Sequence, residues 1–179
     1  MNACARSTSA SPSKAKAVES TENLHPSAAR VARALRERGV EGPVRQFSAS
    51  TKTSAEAATA LGCALGAIAS CLVFVLDDEP VVILKSGAFR VDTAAFAELV
   101  GGTSLRRASA EEVRASTGQP IGGVSPVGWP GRLRVFIDDS LGEFREIWSA
   151  CGTPNAVFAT TYDELRELTG ATPVTLTRS

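Results

Sequence analysis

Cys71-Leu72-Val73-Phe74-Val75-Leu76, Asp77-Asp78-Glu79-Pro80 and Val81-Val82-Ile83-Leu84 follow one another without a break in the middle of the chain. Each apolar run is too short for a helix and rich in β-branched residues. The reading is a buried strand from Ile68 onward, a turn at 77–80, and a hairpin partner from Val81 to Leu84. Strands joined by so short a turn pair antiparallel, whereas parallel neighbours need a long crossover. The stretch therefore argues for a mixed sheet or barrel and against a doubly wound parallel sheet.

Further elements lie on both sides. Pro26 to Arg38 carries Ala28, Val31 and Leu35 at helical spacing, with Pro26 suited to a first turn and Gly39 to a stop. A short apolar-polar stretch surrounds Val44 to Phe47. Ser54 to Leu61 is an Ala-rich helix ended by Gly62. Asp92 to Val100 and Ala110 to Thr117 read as helices, the second with Glu111 and Glu112 in its first turn, where the helix dipole favours anions. Arg134 to Ile137, Ile147 to Ala150 and Ala156 to Thr160 read as strands. Tyr162 to Leu168 reads as a closing helix and Pro173 to Thr177 as a last strand. This irregular order of strands and helices is α+β, with helices packed outside the sheet.

Composition limits the function. The 179 residues suit one domain, and 44% hydrophobic against 21% charged is ordinary for a globular chain. Residues 1–24, rich in turn-formers and poor in apolar residues, are expected to be a flexible tail, leaving 25–179 as the domain. That tail has no apolar core for a secretory signal, and no stretch is long enough to span a membrane. The single histidine, His25, excludes imidazole triads and multi-His metal sites, so no metal or other cofactor is expected. Cys4, Cys63, Cys71 and Cys151 form no Cys-x-x-Cys pair, which reads as reduced thiols in a cytoplasmic protein. The net charge of zero hides an asymmetry: residues 1–50 hold eight basic and four acidic side chains, and the remainder is acidic by the same margin. Arg30, Arg33 and Arg36 form a stripe on the first helix, either a solvated face or a contact for a phosphate backbone.

The most unusual segment is Gly118 to Gly131, with five glycines and three prolines in fourteen positions. Such a loop lets backbone approach a ligand and aim N–H groups at a carbonyl or oxyanion. It matches neither a P-loop nor a dinucleotide fingerprint.

Four stretches in order carry a resemblance: Thr53-Ser-Ala-Glu-Ala-Ala-Thr-Ala-Leu-Gly62, Ile68-Ala-Ser-Cys-Leu-Val-Phe74, Gly122-Gly-Val-Ser-Pro-Val-Gly128, and Phe136-Ile-Asp-Asp139 followed by Trp148 to Pro154. Together, over residues 25–177, they resemble the YbaK/prolyl-tRNA-synthetase-associated domains, the trans-editing aminoacyl-tRNA deacylases. The resemblance implies a closed mixed β-barrel with helices around it. It implies hydrolysis of the ester between a wrong small amino acid (Cys, Ala or Ser) and the end of a tRNA, commonly tRNA(Pro), and an aminoacyl-tRNA synthetase as partner. By the same resemblance, Gly122, Gly123, Ser125 and Pro126 hold the aminoacyl end, and Asp138 and Gly152 line the pocket. Family members usually carry Lys where this chain has Ser70. The residues themselves leave Ser70 as a substrate-contacting hydroxyl or a plain strand residue, with Cys71 beside it as pocket lining. Lys85, or Lys52, is a candidate replacement cation. Adjacent strand residues face opposite ways, so only one of Asp138 and Asp139 can enter a site. The alternative function is a non-catalytic binding module of the same fold.

Overall fold

The computed structural model describes residues 24–47 and 53–176. The tail expected over 1–24 falls outside these residues except for Leu24, as do Lys52, Cys4 and the end of the last strand at Thr177. Among the described residues five α-helices and eight strands run in the order α1 Pro26–Arg36, β1 Val44–Gln46, α2 Ser54–Leu61, β2 Ile68–Leu76, β3 Glu79–Ser86, α3 Thr93–Leu99, β4 Leu105–Arg107, α4 Ala110–Thr117, β5 Arg134–Asp138, β6 Ile147–Ala150, β7 Ala156–Thr160, α5 Tyr162–Thr169 and β8 Thr172–Val174, with short 3-10 helices at Leu65–Ala67 and Asp139–Glu143.

The opening stretch is a hairpin. Its turn is tighter than the expected 77–80: only Asp77 and Asp78 lie outside the strands, both at positive φ (47° and 71°). This is the mirror-image turn that matches strand twist, and aspartate tolerates it. The Asp77 carboxylate fixes the turn by accepting from the Thr103 and Ser104 backbone N–H groups and the Thr103 hydroxyl. Residues 103–107 thereby come alongside, and Leu105–Arg107 pairs with the end of β2 as β4, a strand too short to stand out in the sequence.

The sheet is mixed, as the hairpin required, but it is not closed into a barrel. Its order is β1-β7-β6-β2-β3-β5-β8, with β4 branching from β2. Closure would need β1 to meet β8. Each is three residues long, and among the described residues each pairs on one side only, β1 with β7 and β8 with β5. The one other short strand, β4, is spent on β2. A barrel also demands a matched tilt and stagger around the ring, which neither strand count nor hydrophobicity reveals.

Helices cover both faces instead. Val73, Val75, Val82, Leu84, Val135 and Ile137 pack with Val113 of α4 and Leu165 of α5 on one face. Phe74, Leu76, Val81, Ile83 and Phe136 pack with Phe96 of α3 on the other. This two-sided burial is why the hairpin reads as continuous apolar runs rather than alternation. α1 packs through Ala28, Val31, Ala32 and Leu35 onto Phe158 of β7, and ends at Arg36, two residues short of the expected Arg38. α2 covers Ile68, Trp148 and Val157.

Candidate active site

One edge of β2 is paired with β3 from Ala69 to Leu76. The other edge is shared: β6 runs parallel to it at Ile68–Ala69, and β4 antiparallel at Phe74–Leu76. Between these two partners Ser70–Val73 has no neighbouring strand. A cavity of about 150 Å³ opens at this gap, walled by Thr53 and Ser54 at the start of α2, Ser70, Cys71 and Leu72 of β2, Trp148 and Ala150 of β6, and Pro154, and roofed by Gly122 and Val124. It is smaller than the several hundred Å³ typical of drug-sized ligand sites.

The oxygen-bearing side chains of this cavity are hydroxyls, those of Thr53, Ser54 and Ser70. Ser54 Oγ and Ser70 Oγ lie 2.9 Å apart. Ser54 is placed by a capping box, in which Thr53 Oγ1 accepts from Glu56 N–H (3.2 Å) and the Glu56 carboxylate accepts from Thr53 N–H (3.0 Å). Cys71 is the one titratable side chain among the described lining residues, and burial pushes its thiol far above the ordinary cysteine range, so it stands neutral.

The roof is held rigidly from behind. Gln119 Oε1 accepts from Ser125 N–H (2.6 Å), and its Nε2 donates to Ser125 Oγ (3.0 Å) and to the Val127 carbonyl (2.9 Å). Trp129 Nε1 donates to the Ser125 carbonyl (2.8 Å). Gly123 touches the 153–154 segment so closely that an added Cβ would lie 2.7 Å from Thr153 Cα. Gly122 has φ +80°, a conformation glycine adopts without cost.

The model of the aminoacyl-tRNA editing domain matches residues 48–168. The chain belongs to the aminoacyl-tRNA editing domain family. This editing domain is similar to a solved structure proposed to be a trans-editing enzyme for prolyl tRNA synthetase, with 44% identity and a TM-score of 0.80 over 88% of this chain and 100% of that one. It is 34% identical to the uncharacterized protein YwhH of Bacillus subtilis, over 71% of this chain and 81% of the relative. It is also 38% identical to the proline–tRNA ligase of Nitratidesulfovibrio vulgaris over 89 residues, half of this chain but 16% of the ligase. The editing domain is thus related to prolyl-tRNA synthetase trans-editing.

Of the residues singled out in the sequence, the structure brings Ser70, Cys71 and Gly122 to the cavity, with Gly123 directly behind the roof. Ser125 and Pro126 are buried beneath it and do not line it. Lys85 stands directly across from Ser70 on β3, yet its Nζ donates to the carbonyls of Ser86 (2.8 Å) and Phe89 (2.6 Å), and it does not line the cavity. Burial lowers the Lys85 pKa, against an opposing pull from Asp138. Asp138 is itself buried, with Oδ2 accepting from Ser86 N–H and Oδ1 from Ser140 N–H, both at 3.0 Å. These contacts tie the ends of β3 and β5 together. Gly152 lies at a second depression of about 210 Å³ with Ser27, Arg30, Gly118 and Gly128. Arg30, Arg33 and Arg36 are exposed on α1. His25 caps α1, its Nδ1 accepting from Ser27 N–H (3.2 Å).

Sequence reasoning missed Ser54, Trp148 and Pro154 as walls. For Ser54 a signal was present, since it stands inside the Thr53-x-x-Glu56 capping box, directly after the N-cap. Trp148 and Pro154 bound a stretch that carried the resemblance, but only the register of β6 against β2 puts Trp148 at the gap, with Pro154 in the connection from β6 to β7.

Proposed function

We propose that this editing domain hydrolyses, in trans, the ester joining a mischarged small amino acid of the Cys, Ala or Ser type to the end of a cytoplasmic tRNA, with tRNA(Pro) first in line and an aminoacyl-tRNA synthetase as working neighbour. The observation that carries this reading is the cavity at the β2 gap. It is sized for a small side chain, roofed by glycine backbone and furnished with Ser54 and Ser70 hydroxyls.

In the reaction water adds to the ester carbonyl, the bond from that carbon to the ribose oxygen breaks, the amino acid leaves as a carboxylate, and the ribose oxygen takes a proton. The described lining holds no general base, so proton transfer falls to water or to the substrate's own groups. The protein supplies orientation and hydrogen-bond donors toward the oxygen on which charge develops, the contributions that dominate many acyl-transfer sites. The test is a deacylation panel over Cys-, Ala- and Ser-charged tRNAs. Release faster than uncatalysed hydrolysis for at least one is expected, and no acceleration on any would sink the hydrolase.

One observation favours the second reading, a non-catalytic binding module: no cation reaches the described lining, and Ser70 stands where the family resemblance implies Lys. Ser70→Lys separates the two. The hydrolase reading expects existing activity to fall, because the Ser54–Ser70 pair is broken and a second ammonium is set opposite Lys85, a destabilising like-charge pair. Activity that appears only in the variant would favour the binding module.

A further inference from the structure

The gap in the sheet leaves one strand residue with its backbone unused. Gly87 N–H donates to the Ile68 carbonyl (2.8 Å), so even-numbered residues of β2 direct their backbone groups toward β3. Ala108 N–H donates to the Val73 carbonyl (3.2 Å), so odd-numbered residues direct theirs to the opposite edge. On that edge Ala69 faces β6, and Val73 and Val75 face β4 and its continuation. Cys71 falls between them. The β6 pairing stops at Ala69–Ser149 and the β4 pairing at Phe74–Arg107, so neither ladder reaches the Cys71 N–H or C=O, and among the described residues no loop backbone group bonds to them, although the residue is only 9% exposed and lines the cavity. Buried backbone groups left without a partner are rare and costly.

We infer that Cys71 is the docking point for the amino acid itself, which joins the sheet there as a strand of one residue. The identity of the ligand rests on the deacylase reading above. An aminoacyl ester carries an α-ammonium and a carbonyl in the order found in any strand residue. In an antiparallel sheet the two residues of a hydrogen-bonded pair exchange two hydrogen bonds. The α-ammonium donates to the Cys71 carbonyl, and the ester carbonyl accepts from the Cys71 N–H, which polarises the bond to be cut. Directly opposed residues also put their side chains on one face. Here that face is the one shared by Cys71 and Val124, where the cavity continues into a depression of about 60 Å³ beside Val113 that admits only a small group. The consequence is selection for a free α-ammonium. A peptidyl or N-acylated ester loses the charge and carries an acyl group into the space between β6 and β4, so it is rejected.

The test compares two non-hydrolysable adenosines by calorimetry, 3′-alanylamido- and 3′-propionylamido-3′-deoxyadenosine, which differ only in the amino group. The alanyl compound is expected to bind at least about tenfold more tightly, since the propionyl compound leaves the Cys71 carbonyl unpaired. The contact is assigned to Cys71 by replacing that residue with lactic acid, using Cys71→Ala as the reference with the same side chain. This puts an ester oxygen in place of the N–H without removing a bond to β3. The Ser70 carbonyl becomes an ester carbonyl and a weaker acceptor toward β3, so affinities are compared at a temperature where both proteins stay folded, and alanyl affinity is expected to fall about tenfold relative to Cys71→Ala. Equal affinity for the two adenosines, or for the two proteins, overturns the inference, as does failure of both compounds to bind. Deacylation of Ala-tRNA, run in parallel, reports separately on the hydrolase. Tight, amine-dependent binding without turnover sinks that reading and leaves the docking point standing, and turnover with amine-independent binding does the reverse.

Discussion

Gly123→Ala tests whether the roof must stay where the 153–154 segment holds it. Gly123 is not at positive φ, so the backbone itself accepts alanine and the effect is steric. The new methyl would lie 2.7 Å from both Thr153 Cα and Thr153 C, and 2.9 Å from Pro154 N. That is about 0.8 Å short of the ~3.5 Å at which carbon atoms meet comfortably. The neighbours are backbone atoms that no rotamer change can move, so the roof and the wall must separate by nearly that amount. Overpacking of this kind costs roughly 1–3 kcal/mol, or roughly 2–12 °C of melting temperature for a chain of this size. A displacement approaching 1 Å at a positioned site costs on the order of 100-fold in rate. Single-turnover deacylation of a mischarged tRNA should therefore slow by about ten- to a hundredfold, beyond what the thermal shift explains at a temperature where the variant stays folded. Gly131→Ala, with nothing within 4 Å of the added methyl and no positive φ, is the control. Wild-type rate and melting in Gly123→Ala would refute the reasoning, since the roof would then be free to adjust.

Three other outcomes are expected. Asp138→Ala strips two backbone donors, Ser86 N–H and Ser140 N–H, of their acceptor and should cost about 2–4 kcal/mol in chemical denaturation; intact stability with lost activity would instead put this carboxylate on the substrate. Glu112 is held down to about 2, first by its two hydrogen bonds to Arg106 and then by the Ser109 N–H. A depressed carboxylate stabilises above its unfolded pKa of 4.5 and loses that contribution as pH falls toward 2. Melting curves of Glu112→Gln should consequently fall less steeply than wild type over that window, and an identical slope would remove the pair from the acid response. Replacing Arg30, Arg33 and Arg36 together with Gln should weaken tRNA binding and reduce its log–log salt slope by about 2, whereas an unchanged slope would make the stripe a merely solvated face.

Local grammar was readable in the chain. The helix starts at Ser54 and Ala110 follow from Thr53 and Ser109 with Glu three residues into each helix, and both capping boxes form. The apolar runs of β2 and β3 are long because helices cover both faces of the sheet, and the short turn between them argued against a doubly wound parallel sheet. Family membership was legible too, because the glycine roof and the β2 sequence are contiguous stretches. The open sheet was not legible. Whether β1 reaches β8 depends on accumulated twist and stagger along the whole strand order, to which no single residue testifies.

The candidate site divides in the same way. Ser70, Cys71 and Gly122 announced themselves by position within their segments. The fates of Lys85 and Asp138 were set by what folding placed beside them: the carbonyls of Ser86 and Phe89 for one, the N–H groups of Ser86 and Ser140 for the other. A charged side chain advertises chemistry in a sequence, but burial obliges it to find partners, and those partners decide whether anything is left over for a ligand. The sequence alone determined the hairpin, the caps and the glycine roof, which depend on residues a few positions apart. Only the tertiary structure decided that β4 and β6 stop short of each other along β2, because that gap is the difference between two long-range registers, and it is this gap that exposes Cys71 to the cavity.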